Sequence, residues 1–238
     1  MKFSIIIPCY NESKNLKRLL QKIVPLQRRY DLEYILVENG SGDNSKEFFK
    51  KYIEGKYQGI QTVYINENRG YGYGLQQGMK AAQGDYIGWI HADMQMAPEE
   101  LVPFFQIACM NQSDRKLFIK GRRTGRSRLD RVFTLGQSLV NTVMFRTVLY
   151  DVGAIPVLFH RSLLHMVRIE KMPNDFSIEL YIYLMAVKHH FKVIRKKVRL
   201  RNRKNGKSSW DHGVTSKIHQ SERILKDSIK IKKGEKIL

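Results

Sequence analysis

Cysteine, proline and long apolar runs are all scarce in this 238-residue sequence. Its two cysteines, Cys9 and Cys109, lack the close spacing of a metal site or redox motif, so we expect a reducing compartment such as the cytosol. The longest apolar stretch, residues 132–150, is broken by Gln137, Asn141 and Arg146, and it lacks the roughly 18 uncharged apolar residues that span a bilayer. The first residues do not have the pattern of a signal peptide. We therefore expect a protein that is soluble or peripheral to a membrane.

Acidic residues are scarce in the second half of the chain. Residues 1–114 contain 13 basic and 13 acidic residues, whereas residues 115–238 contain 29 basic and 9 acidic ones and carry the whole net charge of +20. Such a bias can simply keep a protein soluble, but its size favours a polyanionic partner, either nucleic acid or an anionic membrane surface. Nucleic-acid grooves interleave aromatic and basic residues. Because Tyr71, Tyr73 and Trp89 lie in the neutral half, we expect a membrane surface and no nucleic acid.

Strands and helices alternate in the first half. Apolar runs and helical spacing predict strands at 3–7, 34–37, 62–65 and 85–90, and helices at 12–24, 44–53, 74–82 and 99–110. This alternation indicates an α/β fold with an open, mostly parallel sheet flanked by helices. The same signals predict a later strand at 117–120, helices at 131–149 and 176–188, an edge strand at 192–200 and a basic helical tail from 215.

Two glycine-rich segments resemble nucleotide-binding motifs but do not have the required glycine spacing. Residues 68–74 lack the third glycine of a dinucleotide fingerprint and follow the third predicted strand, where the fingerprint would follow the first. Residues 206–208 look like the end of a P-loop, but Arg201 stands where its first glycine belongs. We expect neither a dinucleotide-binding enzyme nor a P-loop enzyme.

Polar loops follow all four of the first predicted strands, at residues 8–12, 38–41, 66–70 and 91–95. The carboxyl ends of parallel strands share one edge of the sheet, so these loops are expected to converge on one crevice. Asp93 and Gln95, two residues apart, can direct oxygens to a hard cation such as Mg²⁺ or Mn²⁺. Glu38 suits a base or ribose, and Arg69 suits phosphates.

These loops resemble family 2 glycosyltransferases with the GT-A fold. The motifs are residues 5–12 (IIIPCYNE), 37–41 (VENGS), 68–70 (NRG) and 92–95 (ADMQ), and the resemblance runs from residue 3 to about 100. Downstream, the chain is similar to the polyprenyl-phosphate branch, which includes dolichyl-phosphate mannose synthase. The matching pieces are residues 121–123, Arg131, 151–154, 159–161 and 203–208.

The resemblance implies a nucleoside diphosphate sugar, UDP- or GDP-linked, as donor. The positions that would bind it are Pro8, Tyr10, Glu12, Glu38, Gly40, Ser41, Arg69, Gly70, Ala92 and Asp93. It also implies a divalent cation, Mg²⁺ or Mn²⁺, held by Asp93 and Gln95. Acceptor phosphate would be bound by Arg122, Arg131, Arg203 and Ser208, and the expected catalytic residues are Asp93 and the three arginines.

The chain departs from the family pattern at two places. His91 replaces the first aspartate of the usual Asp-x-Asp, so the metal site either loses a carboxylate or uses an imidazole. Glu38 and Asn39 replace two aspartates, which removes one charge near the nucleoside. Both departures bear on the choice of metal and donor.

The expected reaction is inverting, metal-dependent sugar transfer to a polyprenyl (dolichyl or undecaprenyl) phosphate. Residues 1–114 would bind the donor and residues 115–213 the acceptor. The helix at 131–149 and the Lys-rich tail 214–238 would rest on the inner, cytoplasmic face of a membrane, alongside other membrane proteins of glycan assembly; the alternative for the helix is an ordinary core helix. The alternative is a family 2 enzyme that acts on a hydroxyl of a surface polysaccharide or glycan. That reaction needs a general base, for which Asp175 and Glu179 are the candidates.

Overall fold

One seven-stranded sheet organises the chain. The structure is a computed structural model that describes residues 1–125, 128–199 and 214–235. The sheet order is β3-β2-β1-β4-β6-β5-β7, and β6 alone runs antiparallel to its neighbours. The mostly parallel open sheet is therefore confirmed. The strands are β1 (Phe3–Cys9), β2 (Leu32–Asn39), β3 (Ile60–Ile65), β4 (Tyr86–Trp89), β5 (Leu117–Thr124), β6 (Val157–His160) and β7 (Lys192–Arg199).

Helices pack on both faces of the sheet and bury its apolar strands. The strand core is continuous because residues 5–7 of β1 and 34–37 of β2 are all fully buried, as expected for parallel strands covered on both faces. The α-helices are α1 (Ser13–Gln27), α2 (Ser45–Tyr52), α3 (Tyr71–Ala81), α4 (Val102–Met110), α5 (Arg128–Phe145), α6 (Ile178–Lys188) and α7 (Val214–Glu235).

Several helix boundaries differ from the predicted ones, and two helices show why. The helix predicted at 74–82 begins at Tyr71, directly after Gly70, whose φ of 107° is accessible mainly to glycine. The helix predicted at 131–149 begins at Arg128 and ends at Phe145, because Arg146 adopts a positive φ of 54° that stops an α-helix. The edge strand and the tail helix are confirmed as β7 and α7.

Strand β6 was not predicted from the sequence. It has only four residues, too few for a distinctive pattern, yet it is inserted between β4 and β5. Two glycines make room for it. A Cβ at Gly88 would lie 2.2 Å from the Val157 carbonyl oxygen, and one at Gly121 would lie 2.4 Å from the Ile155 carbonyl oxygen. Side chains at these two positions would therefore push the inserted strand away from both neighbours.

The topology places the functional loops. Because only β6 is reversed, the other six strands all end at the same edge of the sheet, and the loops after β1, β2, β3 and β4 meet there. The carboxyl end of β5 lies along the same edge. Within the described ranges, no helix combines the length and the apolarity needed to cross a membrane.

Candidate active site

The loops after β1 and β2 are tied together by hydrogen bonds. The Asn11 amide donates to Ser41 Oγ at 3.1 Å, and the Gly42 amide donates back to Asn11 Oδ1 at 2.8 Å. The Ser41 amide also donates to Glu38 Oε1 at 2.8 Å. The first two predicted donor-binding loops therefore form one unit, and Tyr10 stands exposed at its rim.

Glu38 lies buried at the carboxyl end of β2. Its side chain is fully buried, and Oε2 has no partner among the described residues. Burial raises the pKa of the neighbouring Cys9 thiol well above its usual range, and the charges of Glu12 and Glu38 raise it further. A buried carboxylate oxygen without a partner is costly. A hydroxyl or N–H group of a bound nucleoside would satisfy it.

The glycine-rich segment after β3 is required for close backbone packing. Gly40 has a φ of 69°, and a Cβ there would lie 2.5 Å from the Asn68 amide nitrogen. A Cβ at Gly70 would lie 2.3 Å from the Asn174 carbonyl oxygen, and one at Gly72 would lie 2.2 Å from that of Pro173. Gly40 thus lets the loop after β2 approach Asn68, and Gly70 and Gly72 let the segment before α6 approach the start of α3, which explains these glycines without a dinucleotide. Arg69 is exposed here, 4.2 Å from the centre of the Tyr73 ring.

The predicted metal-binding residues follow β4. Asp93 is buried, and its Oδ1 accepts a hydrogen bond from the Gln95 amide at 3.0 Å. His91 and Gln95 are partly exposed, and Ala92 is buried between them. Within residues 1–125, 128–199 and 214–235, no group of three or more His, Cys, Asp or Glu could hold a metal ion. A cation here would need oxygens from a bound diphosphate, which suits Mg²⁺ and Mn²⁺ because they bind few protein carboxylates together with substrate phosphates.

A hydrogen-bonded chain of four side chains borders this loop; we call it the Glu179 chain. Glu179 Oε1 accepts from Trp89 Nε1 at 2.8 Å and from the Tyr71 hydroxyl at 2.9 Å, and His91 Nε2 lies 3.1 Å from the same hydroxyl. Burial raises the pKa of Tyr71 well above its usual range, and the charges of Glu179 and Asp93 contribute to the rise. Tyr71 and Trp89 were missed as site residues, because their partner Glu179 lies about 100 residues away in the sequence.

The two candidate bases differ in environment. Asp175 Oδ1 accepts from both the amide and the hydroxyl of Ser177, at 2.9 and 2.5 Å, and so caps the start of α6. Glu179 is buried, and its Oε2 is without a partner among the described residues. The structure therefore separates a capping carboxylate at the start of α6 from a buried carboxylate in the site.

Strand β5 carries three basic residues with different surroundings. Lys120 is fully buried and donates to the carbonyls of Val152 and Ala154 at 2.5 and 2.8 Å. Burial lowers its pKa to about 8, although nearby carboxylates oppose the change. Arg123 is paired with the buried Asp151, and Arg122 is exposed.

Of the predicted acceptor residues, the structure describes two. Arg122 is at the carboxyl end of β5 and Arg131 is exposed in the first turns of α5. Arg203 and Ser208 lie outside the described residues. The pairing of Arg123 and the burial of Lys120 were not foreseen, because the basic run alone gives no sign of which side chains turn inward.

Helix α5 has its polar face buried and an apolar face exposed. Ser138 and Asn141 point inward: Ser138 Oγ accepts from the Asp151 amide at 3.1 Å, and Asn141 Oδ1 accepts from Ser228 Oγ of α7 at 2.7 Å. Outward-facing side chains that are 55–69% exposed form what we call the α5 stripe: Val132, Leu135, Leu139 and Val143. Helix α7 packs alongside α5 and exposes Lys226, Lys230, Lys232 and Lys233.

Relatives known by sequence point to sugar transfer. Two enzymes named undecaprenyl-phosphate 4-deoxy-4-formamido-L-arabinose transferase are similar: one from Proteus mirabilis, 32% identical over 102 residues, and one from Pseudomonas fluorescens, 34% identical over 100 residues. The alignments cover 42% and 41% of this chain but only 31% and 29% of the relatives. The chain thus spans about a third of the length of these relatives, whose names agree with the branch expected from the sequence.

Solved structures share the fold over nearly the whole chain. Glucosyl-3-phosphoglycerate synthase from Mycobacterium tuberculosis, in complex with Mn²⁺, UDP and glucosyl-3-phosphoglycerate, superposes with a TM-score of 0.71 at 15% identity. The superposition covers 97% of this chain and 79% of that chain. The same enzyme with Mn²⁺, UDP-glucose and phosphoglyceric acid also gives 0.71. At this identity the likeness shows the fold.

The family follows from the sequence itself. A family model described as glycosyl transferase family 2 matches residues 4–148, which include β1 to β5 and all four loops at the carboxyl edge. That span is more than half of the chain, and it contains every motif on which the resemblance rested except those after residue 148. The chain belongs to glycosyl transferase family 2.

Proposed function

We propose that this protein transfers a sugar from a nucleoside diphosphate sugar to a polyprenyl phosphate, with inversion at the anomeric carbon. The observation that carries the proposal is the placement of two different surfaces beside one site. Donor-type loops after β1–β4 meet at the carboxyl edge of the sheet, and β5 at the same edge continues toward the exposed, basic and apolar α5. A donor that is small and polar and an acceptor that is anionic and lipid-linked suit these two surfaces.

The donor's nucleoside would lie on the loops after β1 and β2. Glu38 Oε2 would accept a hydrogen bond from it, and Tyr10 would cover it from the rim. Pro8, Glu12, Gly40 and Ser41 shape the same pocket, and Arg69 with Gly70 faces the diphosphate. The known structures with UDP and Mn²⁺ support this class of donor through the shared fold.

Asp93 and Gln95 would hold the donor's divalent cation. When bound, such a cation neutralises the leaving diphosphate. Asp93 is prepared for this task because its loop is fixed by the Gln95 amide and by Met94, which adopts a positive φ of 58°. The protein's contribution is to keep a carboxylate and an amide oxygen on the diphosphate side of the sugar.

Acceptor phosphate would be held by arginines. Its oxygen is already anionic and needs no base, but it needs cations, and Arg122 and Arg131 are exposed for that role. Arg203 and Ser208 are proposed as further phosphate ligands. Lys120 and Arg123 stabilise the strand that carries Arg122, since both bind the segment 151–154 and hold it against β5.

The lipid tail requires a membrane surface, and α5 with α7 would supply it. The α5 stripe would enter the headgroup region, and the α7 lysines beside it would contact anionic lipids. Residues 1–114 would then bind the donor, residues 115–213 would bind the acceptor, and residues 214–238 would contact the leaflet. The leaflet would be the cytoplasmic one, because soluble nucleotide sugars are available on that side. Other membrane proteins of glycan assembly are proposed as neighbours.

A hydroxyl acceptor is the second candidate, and one observation favours it. Glu179 is a buried carboxylate near Asp93 with an oxygen that accepts no hydrogen bond in the described structure, as a general base would have. Against it, the other oxygen is fixed by Trp89 and Tyr71, which gives Glu179 a structural task. Asp175 is engaged in capping α6.

A transfer assay with paired acceptors tests the proposal. Radiolabelled UDP- and GDP-sugars are incubated with Mn²⁺ and either a short-chain polyprenyl phosphate or the matching polyprenol, which differs only by the phosphate. We expect label in the lipid phosphate, none in the polyprenol, and an inverted anomeric linkage. Label on a glycan or on the polyprenol, with none on any lipid phosphate across the donor panel, would refute the proposal.

A further inference from the structure

The Glu179 chain fixes how protons are shared among its members. An indole N–H can only donate, so Trp89 donates to Glu179 Oε1. The Tyr71 hydroxyl has a single hydrogen, and at 2.9 Å it donates this hydrogen to the same carboxylate oxygen. Toward His91 the Tyr71 oxygen can therefore only accept, which requires a proton on His91 Nε2, 3.1 Å away. A neutral imidazole carries one N–H, so Nδ1 keeps its lone pair.

Packing holds this arrangement in place. The Tyr71 ring is stacked on Phe176, with centroids 4.6 Å apart and planes 15° from parallel, and it meets the His91 ring edge-on at 5.3 Å. Glu179 is 6% exposed, and Tyr71 is partly buried. Within the described ranges, no protein group is hydrogen-bonded to His91 Nδ1.

We propose that Tyr71 and Glu179 are positioning residues that hold His91 as the Nε2–H tautomer, so that its Nδ1 joins Asp93 and Gln95 as a ligand of the donor's divalent cation. Metal-binding histidines commonly donate their other ring N–H to a fixed partner, which orients the ring and raises its basicity. Here the partner is a phenol backed by a buried carboxylate. The inference deepens the proposed function and rests on it for the place of the cation.

An imidazole in place of a carboxylate changes what the site prefers. The donor set becomes one nitrogen, one carboxylate and one amide oxygen, with one negative charge fewer than the family's usual pair of aspartates. Imidazole ligands favour transition metals, whereas Mg²⁺ favours oxygen. The site should therefore discriminate more strongly against Mg²⁺ than an Asp-x-Asp site does.

The first test reads the tautomer directly. Long-range ¹H–¹⁵N NMR of the metal-free, full-length protein at pH 7.5 distinguishes the two neutral tautomers of His91. The signals of the His91 ring are assigned by their absence from the spectrum of His91→Asp. We expect Nε2–H in the wild type and a loss of that preference in Tyr71→Phe. A wild-type His91 protonated on Nδ1 would overturn the inference, whether or not Tyr71→Phe folds.

The second test measures metal binding without turnover. Mn²⁺ is titrated and followed by the electron paramagnetic resonance of the free ion, first alone and then with UDP or GDP. Tyr71→Phe should weaken Mn²⁺ binding by about 10–100-fold, as loss of such a supporting partner does. Glu179→Leu should do the same, while Glu179→Gln, which keeps the accepting oxygen, should restore most of the affinity. His91→Asp should lower the preference for Co²⁺ over Mg²⁺ in competition with Mn²⁺.

The matched control is Tyr64→Phe, which removes a hydroxyl bonded to Glu54 at 3.0 Å on β3. It should leave both Mn²⁺ binding and the His91 tautomer unchanged. Unchanged Mn²⁺ affinity in folded Tyr71→Phe would contradict the inference. Neither the NMR nor the Mn²⁺ titration uses an acceptor. If both give the expected results but no sugar is transferred to a lipid phosphate, only the proposed acceptor is refuted, and the inference about His91 stands.

Discussion

The loops after β1–β4 and the α5–α7 surface are built in opposite ways. In the loops, backbone and side-chain groups form hydrogen bonds within and between neighbouring loops, and glycines such as Gly40 and Gly70 are needed because no Cβ fits. On α5 the polar side chains turn inward and the α5 stripe faces out. The first arrangement fixes distances, as a small polar ligand requires. The second offers an extended apolar and basic surface, as the proposed contact with a membrane leaflet requires.

Loss of Asp93 is expected to produce the largest effect and would show that the loop region carries the chemistry. Asp93→Ala should reduce kcat by at least about 100-fold, because it removes a major electrostatic contribution to stabilising the leaving group. EDTA should abolish activity in the wild type. Steady-state rates with saturating donor are the measurement.

The control for Asp93→Ala is Asp85→Asn, just before the amino end of β4, where the carboxylate accepts a hydrogen bond from the Lys2 amide at 2.9 Å. Near-normal rates are expected for it. An Asp93→Ala enzyme close to wild type, or full activity in EDTA, would remove the contrast between the two regions.

Lys120 lies on β5 beside both regions compared above, and its burial predicts a pH dependence of stability. Its folded pKa of about 8 lies below the unfolded value of 10.5, so the unfolded chain binds more protons between these pH values. The free energy of unfolding should therefore rise with pH across this window, by about 2 kcal/mol from pH 7.5 to 9.5 for this group alone. Urea unfolding at both pH values, compared with Lys120→Met, measures it. An equal dependence of the unfolding free energy on pH in the two proteins would show that burial does not lower the pKa of Lys120.

Membrane binding should depend on the α5 stripe and not on exposed apolar residues in general. Leu135→Gln with Leu139→Gln should reduce binding to anionic liposomes at least about tenfold, because each leucine contributes roughly 1.5–3 kcal/mol when fully buried. Binding of the wild type should weaken as salt rises and should be poor on neutral liposomes.

Met110→Gln is the matched control for the α5 variants, because Met110 is 83% exposed at the end of α4, before β5 begins at the opposite edge of the sheet. It should bind liposomes like the wild type. Equal binding to anionic and neutral liposomes, or binding unchanged by the α5 variants, would show that the stripe is not a lipid-facing surface.

Local patterns predicted the fold well and the site in part. The apolar runs of β1 and β2 and the loops after them were evident because strand periodicity and loop polarity are both local signals. Strand β6 was not predicted because four residues have too little pattern to identify a strand. The two glycines that make room for it, Gly88 and Gly121, lie on other strands. The Glu179 chain was not predicted because its members are distant in the sequence and come together only in the folded protein. The amphipathic helix 131–149 was predicted, but its periodicity left open whether the apolar face is buried in the core or exposed, because periodicity identifies a face and not what covers it.

The central claim, an arginine-bound anionic acceptor that needs no base, is tested most directly by acceptor kinetics of Arg122→Ala and Glu179→Gln. Transfer of radiolabelled sugar to a short-chain polyprenyl phosphate is measured at varied lipid and fixed donor. The account predicts that Arg122→Ala raises the acceptor KM about tenfold to a hundredfold, from loss of a charge-assisted hydrogen bond worth roughly 1.5–3 kcal/mol, with donor binding unchanged. It predicts that Glu179→Gln, like Asp175→Asn, keeps most of kcat. A Glu179→Gln enzyme with intact donor binding but almost no turnover, together with a normal acceptor KM in Arg122→Ala, would contradict it.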